Sequence, residues 1–292
     1  MKTARTARTI EELRHIAGSW RKNKSSIGFI PTMGFLHEGH ESLIERAAKE
    51  NDRVVVSIFV NPAQFAPSED LDCYPRDLER DLKRCAALGV DLVFCPDVEE
   101  MYPPGFQTRI NVDSLAQGLC GKSRPTHFQG VCTVVSKLFT IVDADRAYFG
   151  QKDAQQLAII RRMAHDLNFR VEVVGCPTVR EADGLAKSSR NKHLTPKERE
   201  SAPALNQALQ LAEEAALAGV YDSALLRRIM KKRLSADPLI RIDYLEIVDA
   251  LSLQPVQEVS GSTLIAIAAF LGKARLIDNR LLEISVIQPE RR

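Results

Sequence analysis

Two stretches, Val54 to Val60 (VVVSIFV) and Val171 to Val179 (VEVVGCPTV), are almost unbroken runs of β-favouring apolar residues. A strand with one face in water alternates apolar and polar positions; these do not, so both faces must be covered. The runs Ile27–Ile30, Asp91–Pro96 and Arg146–Gly150 are shorter strands of the same kind, and helical patterns stand between the strands. One of these, Arg76 to Gly89, ends in a glycine suited to a helix C-cap. Strand–helix alternation of this sort predicts an α/β domain, a Rossmann-like doubly wound parallel sheet. Past ADGLAKSSRNKHLTPKE the order changes. Helices over roughly 197–217 and 222–235 precede two strand-like runs, IRIDYLEIVDA and TLIAIAAFLG. The expectation is a smaller α+β C-terminal domain, with 1–185 and 186–292 as the two domains.

Charge narrows the classes of function. Lys+Arg number 40 against 38 Asp+Glu, a net charge of +2 over 292 residues, which does not call for nucleic acid or a membrane surface as partner. No apolar run approaches the ~20 residues of a membrane helix. The six cysteines form no C-x-x-C pair, which reads as reduced thiols in a cytoplasmic protein rather than a disulfide frame or zinc site. The basic N-terminal MKTARTARTI lacks an apolar segment and reads as a short start before the first helix.

The chemistry concentrates where strands end or helices begin. PTMGFLHEGH, Pro31 to His40, follows the first strand and opens a helix. Its histidines are three apart with Gly39 between, unlike the i, i+4 pair of a zinc-hydrolase helix, and no third ligand stands nearby, so no protein-held metal is expected. A phosphate cradle suits the pattern better: free N–H groups at a helix start, Gly34 and Gly39 for close backbone approach, and two imidazole donors. The alternative is two surface histidines in a turn. In SIFVNPAQF, Asn61 and Gln64 offer amides at the end of the second strand, where an Asn-Pro turn capping the strand is the plainer reading. In YFGQKDAQQL, Lys152 is a point charge at a helix start, or an ordinary solvated lysine. In DGLAKSSRN, Ser188, Ser189 and Arg190 suit a triphosphate, or form a Ser-rich linker. Arg124 and His127 precede an amphipathic helix, and EDLDCYPRDLERD reads as a solvated loop and helix start from which Asp81 could face a magnesium ion.

Taken together, PTMGFLHEGH, FVNPAQF, RPTHFQGV, FGQKDAQQL and PTVREADGLAKSSRN occur in the order and spacing of the pantoate–β-alanine ligase family, which the chain resembles along nearly its whole length, including LGKARLIDN. The resemblance implies ATP-dependent joining of pantoate to β-alanine through pantoyl adenylate, with Mg²⁺ accompanying ATP, in a cytoplasmic homodimer. It places Met33, Gly34, Phe35, Leu36, His37, Glu38, Gly39 and His40 along ATP, with His40 in the position of the proton donor. It adds Gly150, Gln151, Lys152, Asp153 and Val179, and then Lys187, Ser188, Ser189 and Arg190 closing over the nucleotide. Gln64 and Gln156 take pantoate, with Gln64 later taking β-alanine; Asn61 stands beside them as a further candidate for the substrate. His37, His40 and Lys152 are the expected catalytic groups. Two positions depart from the family pattern: Gln151 stands where Glu is usual, and Lys187 where Met or Leu is usual.

Overall fold

The structure is a computed structural model, and it describes residues 4–66, 71 and 74–284. The chain divides into two compact units: Met1–Ala116 with Gly121–Gln151 and Gln156–Val179, and Gln117–Cys120 with Lys152–Gln155 and Arg180–Arg292.

The first unit runs β1 (Arg5–Ala7), α1 (Ile10–Lys22), β2 (Ile27–Thr32), α2 (Glu38–Glu50), β3 (Arg53–Ile58), α3 (Leu78–Ala87), β4 (Leu92–Phe94), α4 (Val98–Met101), α5 (Leu119–Ser123), α6 (His127–Val142), β5 (Arg146–Gly150), α7 (Ala154–Asp166) and β6 (Glu172–Cys176), with α5 and α7 shared at their N-terminal ends with the second unit. All its strand pairs are parallel, in the order β1-β4-β3-β2-β5-β6. The expected doubly wound sheet is therefore present. Strand alternation explains why the apolar runs are continuous. Ile30, Val54, Val56, Val93, Tyr148 and Val174 pack with Leu43, Ile44 and Ala47 of α2 and Cys85 of α3. On β5, Phe149 instead meets Phe139 of α6, with ring centroids 6.3 Å apart.

The strand order reverses between β2 and β5, and a parallel sheet opens its ligand crevice at such a point. The local chemistry helps it open. The β2–β5 ladder covers only Gly28–Phe29 against Arg146–Ala147. Ile27 faces β5, its carbonyl accepting the Asp145 N–H at 2.9 Å. Two-residue alternation then turns Pro31 to the same side, and proline has no N–H to continue the ladder.

The second unit holds α8 (Pro196–Ser201), α9 (Ala204–Leu217), α10 (Ser223–Ser235) and an antiparallel sheet of β7 (Ile240–Asp249), β8 (Gly261–Leu271) and β9 (Ala274–Ile284) in that order. Ile265, Ile267, Ala269 and Leu271 on one face of β8 join Leu205, Leu209, Leu226 and Met230 in its core.

Four expectations need correction. The N-terminal segment is not merely a lead-in, because Arg5–Ala7 pairs with β4 as an edge strand. The run 171–179 is strand only to Cys176, where Pro177 removes the next donor. The helix over 197–217 is two helices broken before Ala204, at Pro203, whose ring cannot donate into a continuing helix. Asp81 is 1% exposed rather than solvated. Cys85, Cys95, Cys120, Cys132 and Cys176 are buried and in no disulfide; Cys73 and most of the acidic 67–73 stretch lie outside the described residues.

Candidate active site

The loop from β2 to α2 is built on backbone that side chains rarely adopt. Gly34 has φ +83 and Phe35 has φ +51, both in the left-handed region, and Phe35 bears a side-chain penalty there. A Cβ on Gly34 would stand 3.0 Å from Ile58 Cγ2 and 3.1 Å from Asp81 Oδ2. The surrounding groups hold this shape. Thr32 Oγ1 donates to the Ser57 carbonyl at 2.7 Å and accepts the Gly34 N–H at 3.1 Å. The Asp81 carboxylate accepts the Phe35 N–H at 2.6 Å and the Leu36 N–H at 2.8 Å. Arg80 donates to the Leu36 carbonyl at 3.1 Å and lies 4.8 Å over the Phe35 ring. Asp81 therefore serves the loop: each of its oxygens accepts a backbone N–H. Burial pushes its pKa above the usual carboxylate range, and the N–H bonds from Leu36 and Phe35 oppose that rise.

His37 is the N-cap of α2, its Nδ1 accepting the Gly39 N–H at 3.1 Å. His40 closes the reciprocal bond, its Nδ1 accepting the His37 N–H at 3.3 Å. The ring centroids are 4.1 Å apart. A ring nitrogen that accepts carries no proton, so each neutral imidazole carries its proton on Nε2. The backbone thus fixes both tautomers and turns two N–H donors away from the cap, at a helix end of positive dipole. These are half-buried capping residues, which the reading as two loose surface histidines did not provide for.

The β3–α3 connection adds a buried amide pair. Asn61 is 1% and Gln64 8% exposed. Asn61 caps the short 3₁₀ turn Pro62–Gln64, so the capping reading holds. Gln64 Nε2 reaches Met33 Sδ at 3.2 Å, which ties this turn to the β2–α2 loop. The Gln64 carbonyl accepts from His127 Nδ1 at 2.9 Å, and Arg124 stands 3.1 Å from His127 Nε2. Gly130 of α6 permits the contact: a Cβ there would come within 2.2 Å of the Ala63 carbonyl oxygen. Gln156 and Val179 are half-buried.

β5 ends at Gly150, and Gln151–Asp153 make a 3₁₀ turn before α7. Within the second unit, the Lys152 carbonyl accepts from Asn279 Nδ2 at 2.8 Å, and Lys152 Nζ lies 3.8 Å from Asp153 Oδ1. The neighbouring glutamine, Gln155, is a brace: Oε1 accepts the Cys120 N–H at 2.9 Å and Nε2 donates to the Gly118 carbonyl at 2.8 Å. The loop that carries Lys187, Ser188, Ser189 and Arg190 is held from behind. Arg180 forms a bidentate pair with Asp278 at 2.6 and 3.0 Å and donates to the Gly184 carbonyl at 3.0 Å. Arg199 pairs with Asp183 at 2.5 Å and Glu181 at 2.9 Å. Asn191 bonds the Ala186 carbonyl and Glu181, and Ser188 Oγ caps the next turn by accepting the Arg190 N–H at 3.3 Å. Adjacent residues of β9, Asp278 and Asn279, thus fix both the Lys187–Arg190 loop and the Lys152 turn.

Among the described residues, no three His, Cys, Asp or Glu side chains gather as a metal-ligand set, and no helix is long and apolar enough to cross a membrane. Sequence reasoning missed Gly130, Asp278 and Asn279 as parts of this architecture, and also Tyr102, whose O–H donates to Asn61 Oδ1 at 2.7 Å. Only the run LGKARLIDN pointed toward β9.

Comparison with known proteins bears on these loops. The sequence profile described as pantoate-beta-alanine ligase matches residues 5–281. The pantothenate synthetase of Enterococcus faecalis is 56% identical over 277 residues, 95% of this chain and 98% of that one. The crystal structure of pantothenate synthetase from Thermus thermophilus superposes with a TM-score of 0.90 at 50% identity, covering 94% of this chain and 98% of that one. The pantoate-beta-alanine ligase of Francisella tularensis, complexed with beta-gamma ATP and beta-alanine, gives a TM-score of 0.80 at 36% identity, covering 96% of this chain and 98% of that one.

Proposed function

This chain belongs to the pantoate–β-alanine ligase family, ligases that form an amide bond, and we propose that it condenses (R)-pantoate with β-alanine in two steps driven by ATP. In the first, a pantoate carboxylate oxygen attacks the α-phosphorus of ATP. The bond from that phosphorus to the β-phosphate bridging oxygen breaks, pyrophosphate leaves and pantoyl adenylate forms. In the second, the β-alanine amine attacks the acyl carbon. The acyl–oxygen bond breaks, AMP leaves, the nitrogen gives up a proton, and pantothenate is the product. The Francisella relative, complexed with beta-gamma ATP and beta-alanine, supports both substrate classes.

The observation that carries this reading is the reciprocal histidine cap at the start of α2. Nδ1 of His37 and of His40 both accept backbone N–H groups, which puts the proton of each neutral ring on Nε2. A carboxylate attacking a polyanion needs its repulsion offset, and fixed donors do this without reorganising as charge builds up. Lys152, Ser188, Ser189 and Arg190 supply further positive and donor groups toward the phosphates. ATP enters as its Mg²⁺ complex, the metal being part of that substrate. Positioning of two bound reactants contributes much of the rest, and no side-chain nucleophile is needed. Residues 1–185 bind ATP and pantoate, and 186–292 serve as a lid that keeps water from the adenylate. The active form is a cytoplasmic homodimer.

The test is AMP formation from Mg·ATP with pantoate or β-alanine left out in turn. AMP that requires both, with pantothenate in equal amount, is expected. His40→Ala and Lys152→Ala should each slow adenylate formation by at least ~10²-fold. Near-normal rates would remove those roles, and AMP without pantothenate would point to another acceptor. If Lys187→Met leaves the KM for ATP unchanged, this departure from the family pattern has no bearing on the nucleotide.

A further inference from the structure

Asn61 has every hydrogen-bonding position of its amide occupied by protein. Oδ1 accepts the Ala63 N–H at 3.2 Å and the Tyr102 O–H at 2.7 Å. Nδ2 donates to the Gly130 carbonyl at 3.2 Å and to Gln64 Oε1 at 3.0 Å. A side-chain amide has two N–H donors and two acceptor positions, so this side chain is saturated. Two of the four partners are backbone groups of fixed polarity. An N–H can only donate and a C=O can only accept, so a flipped Asn61 would set N–H against N–H and oxygen against oxygen. That removes the usual ambiguity in amide assignment.

Polarity then passes to the next side chain. Gln64 faces an N–H of Asn61 and must present Oε1 to it. Its Nε2 is turned the other way, toward Met33 Sδ at 3.2 Å. A thioether is a weak acceptor that a substrate oxygen readily replaces. Tyr102 reinforces the arrangement: burial pushes its hydroxyl up to about 12, so it keeps the proton it donates. Its ring is flanked by Phe106 at 5.1 Å, and by Lys137 Nζ at 5.9 Å.

We infer that Asn61 is a positioning residue rather than a substrate contact, and that Gly130, Ala63 and Tyr102, acting through it, make Gln64 an obligate donor that selects an acceptor oxygen on the acid substrate. This rests on the placement of Gln64 at the pantoate site. It has a consequence for the second substrate. Gln64 turns its Nε2 donor to the site, which suits the carboxylate of β-alanine better than its amine.

The experiment compares binding of pantoate with that of its primary amide, pantoamide, which offers N–H groups where the acid has an acceptor. In Asn61→Asp the new carboxylate has no N–H for Gln64, which must rotate and turn its carbonyl toward the substrate. Pantoate binding should weaken ~10²-fold and the preference for pantoate over pantoamide should fall at least ~10-fold, with the KM for ATP nearly unchanged. A loss of packing alone would weaken both compounds by the same factor, and that result would overturn the inference. Tyr102→Phe keeps the fold's shape and removes one donor. It should raise the pantoate KM about fivefold, the worth of one neutral hydrogen bond, and leave the KM for ATP alone. An unchanged pantoate KM in Tyr102→Phe would also overturn the inference, which keeps it open to refutation should Asn61→Asp fail to fold. A wild-type protein that binds neither compound would instead overturn the substrate assignment beneath it.

Discussion

The β2–α2 loop and the 180–191 loop are both rigid turns that offer donors, yet they are held by opposite means. The first hangs on a single anion, Asp81, sealed at 1% exposure and bonded to two neutral backbone N–H groups. The second is held by cations paired with carboxylates, from a nearly sealed Asp278 (2% side-chain exposure) to a wet Asp183 (40%). At Asp81 desolvation outweighs the two N–H bonds and the nearby Arg80 charge, and the pKa is raised; Asp183 lies below the usual range because Arg199 bonds it. The two anchors should therefore answer differently to substitution, acid and salt.

The largest effect is expected at the sealed ion pair. Asp278→Ala leaves Arg180 with an unpaired charge and should lower stability by roughly 3–5 kcal/mol, measured by chemical denaturation. A loss under about 1 kcal/mol would mean that the loop finds its support elsewhere. Asp81→Asn comes next. It turns an N–H toward one of the two loop N–H groups, and removal of the buried charge offsets part of that loss. The expected cost is roughly 1–2 kcal/mol, with a raised KM for ATP, and an unchanged KM would show that the loop keeps its shape without the carboxylate.

Acid sharpens the contrast further. For Asp81 the folded pKa is raised, so its contribution to stability is present below the unfolded pKa and lost as pH rises through the folded one. For Asp183 the folded pKa is lowered, so its contribution is present above the unfolded pKa and lost as pH falls through the folded one. On descending pH, hydrogen-exchange protection should therefore fade at Leu185, whose N–H is held by Asp183 at 3.2 Å, before it fades at Phe35 and Leu36. The reverse order would refute the contrast. The smallest effect is Arg199→Ala: about 1 kcal/mol or less at low salt, disappearing near 1 M salt because its pairs are partly exposed.

Most of the α/β frame can be read from the sequence because strands buried on both faces leave unbroken apolar runs, and the histidine loop shows because glycines and imidazoles gather at one strand end. What supports the loop does not show. Asp81 is 46 residues from Phe35, and its acidic surroundings resemble any solvated helix start. Gly130 sits inside a helix, where glycine ordinarily reads as a weakness, and only the backbone of the facing turn gives it a reason. Asn61 was legible as a cap, but its bond to Gly130 spans 69 residues and no local pattern encodes it. β9 carries buried Asp278 and Asn279, which blur the alternation that would have marked a strand.

A sheet with all strands parallel sends every substrate-side loop to one rim and leaves the other rim for connections alone. That second rim is stapled by aspartates: Asp145 accepts the Ile27 N–H at 2.6 Å, Asp52 the Ser26 N–H at 2.8 Å and Asp91 the Val54 N–H at 3.0 Å. The turn after α7 needs no such staple, and its Leu167 is 49% exposed. A fluorophore carried there on Leu167→Cys, in a Cys73→Ser background, would report on the enzyme without touching its chemistry. Cys85, Cys95 and Cys132 will not compete for the dye, because burial pushes Cys85 and Cys132 up to about 12 and Cys95 to about 11. The far rim is the handle by which this protein can be tagged, tethered or watched at work.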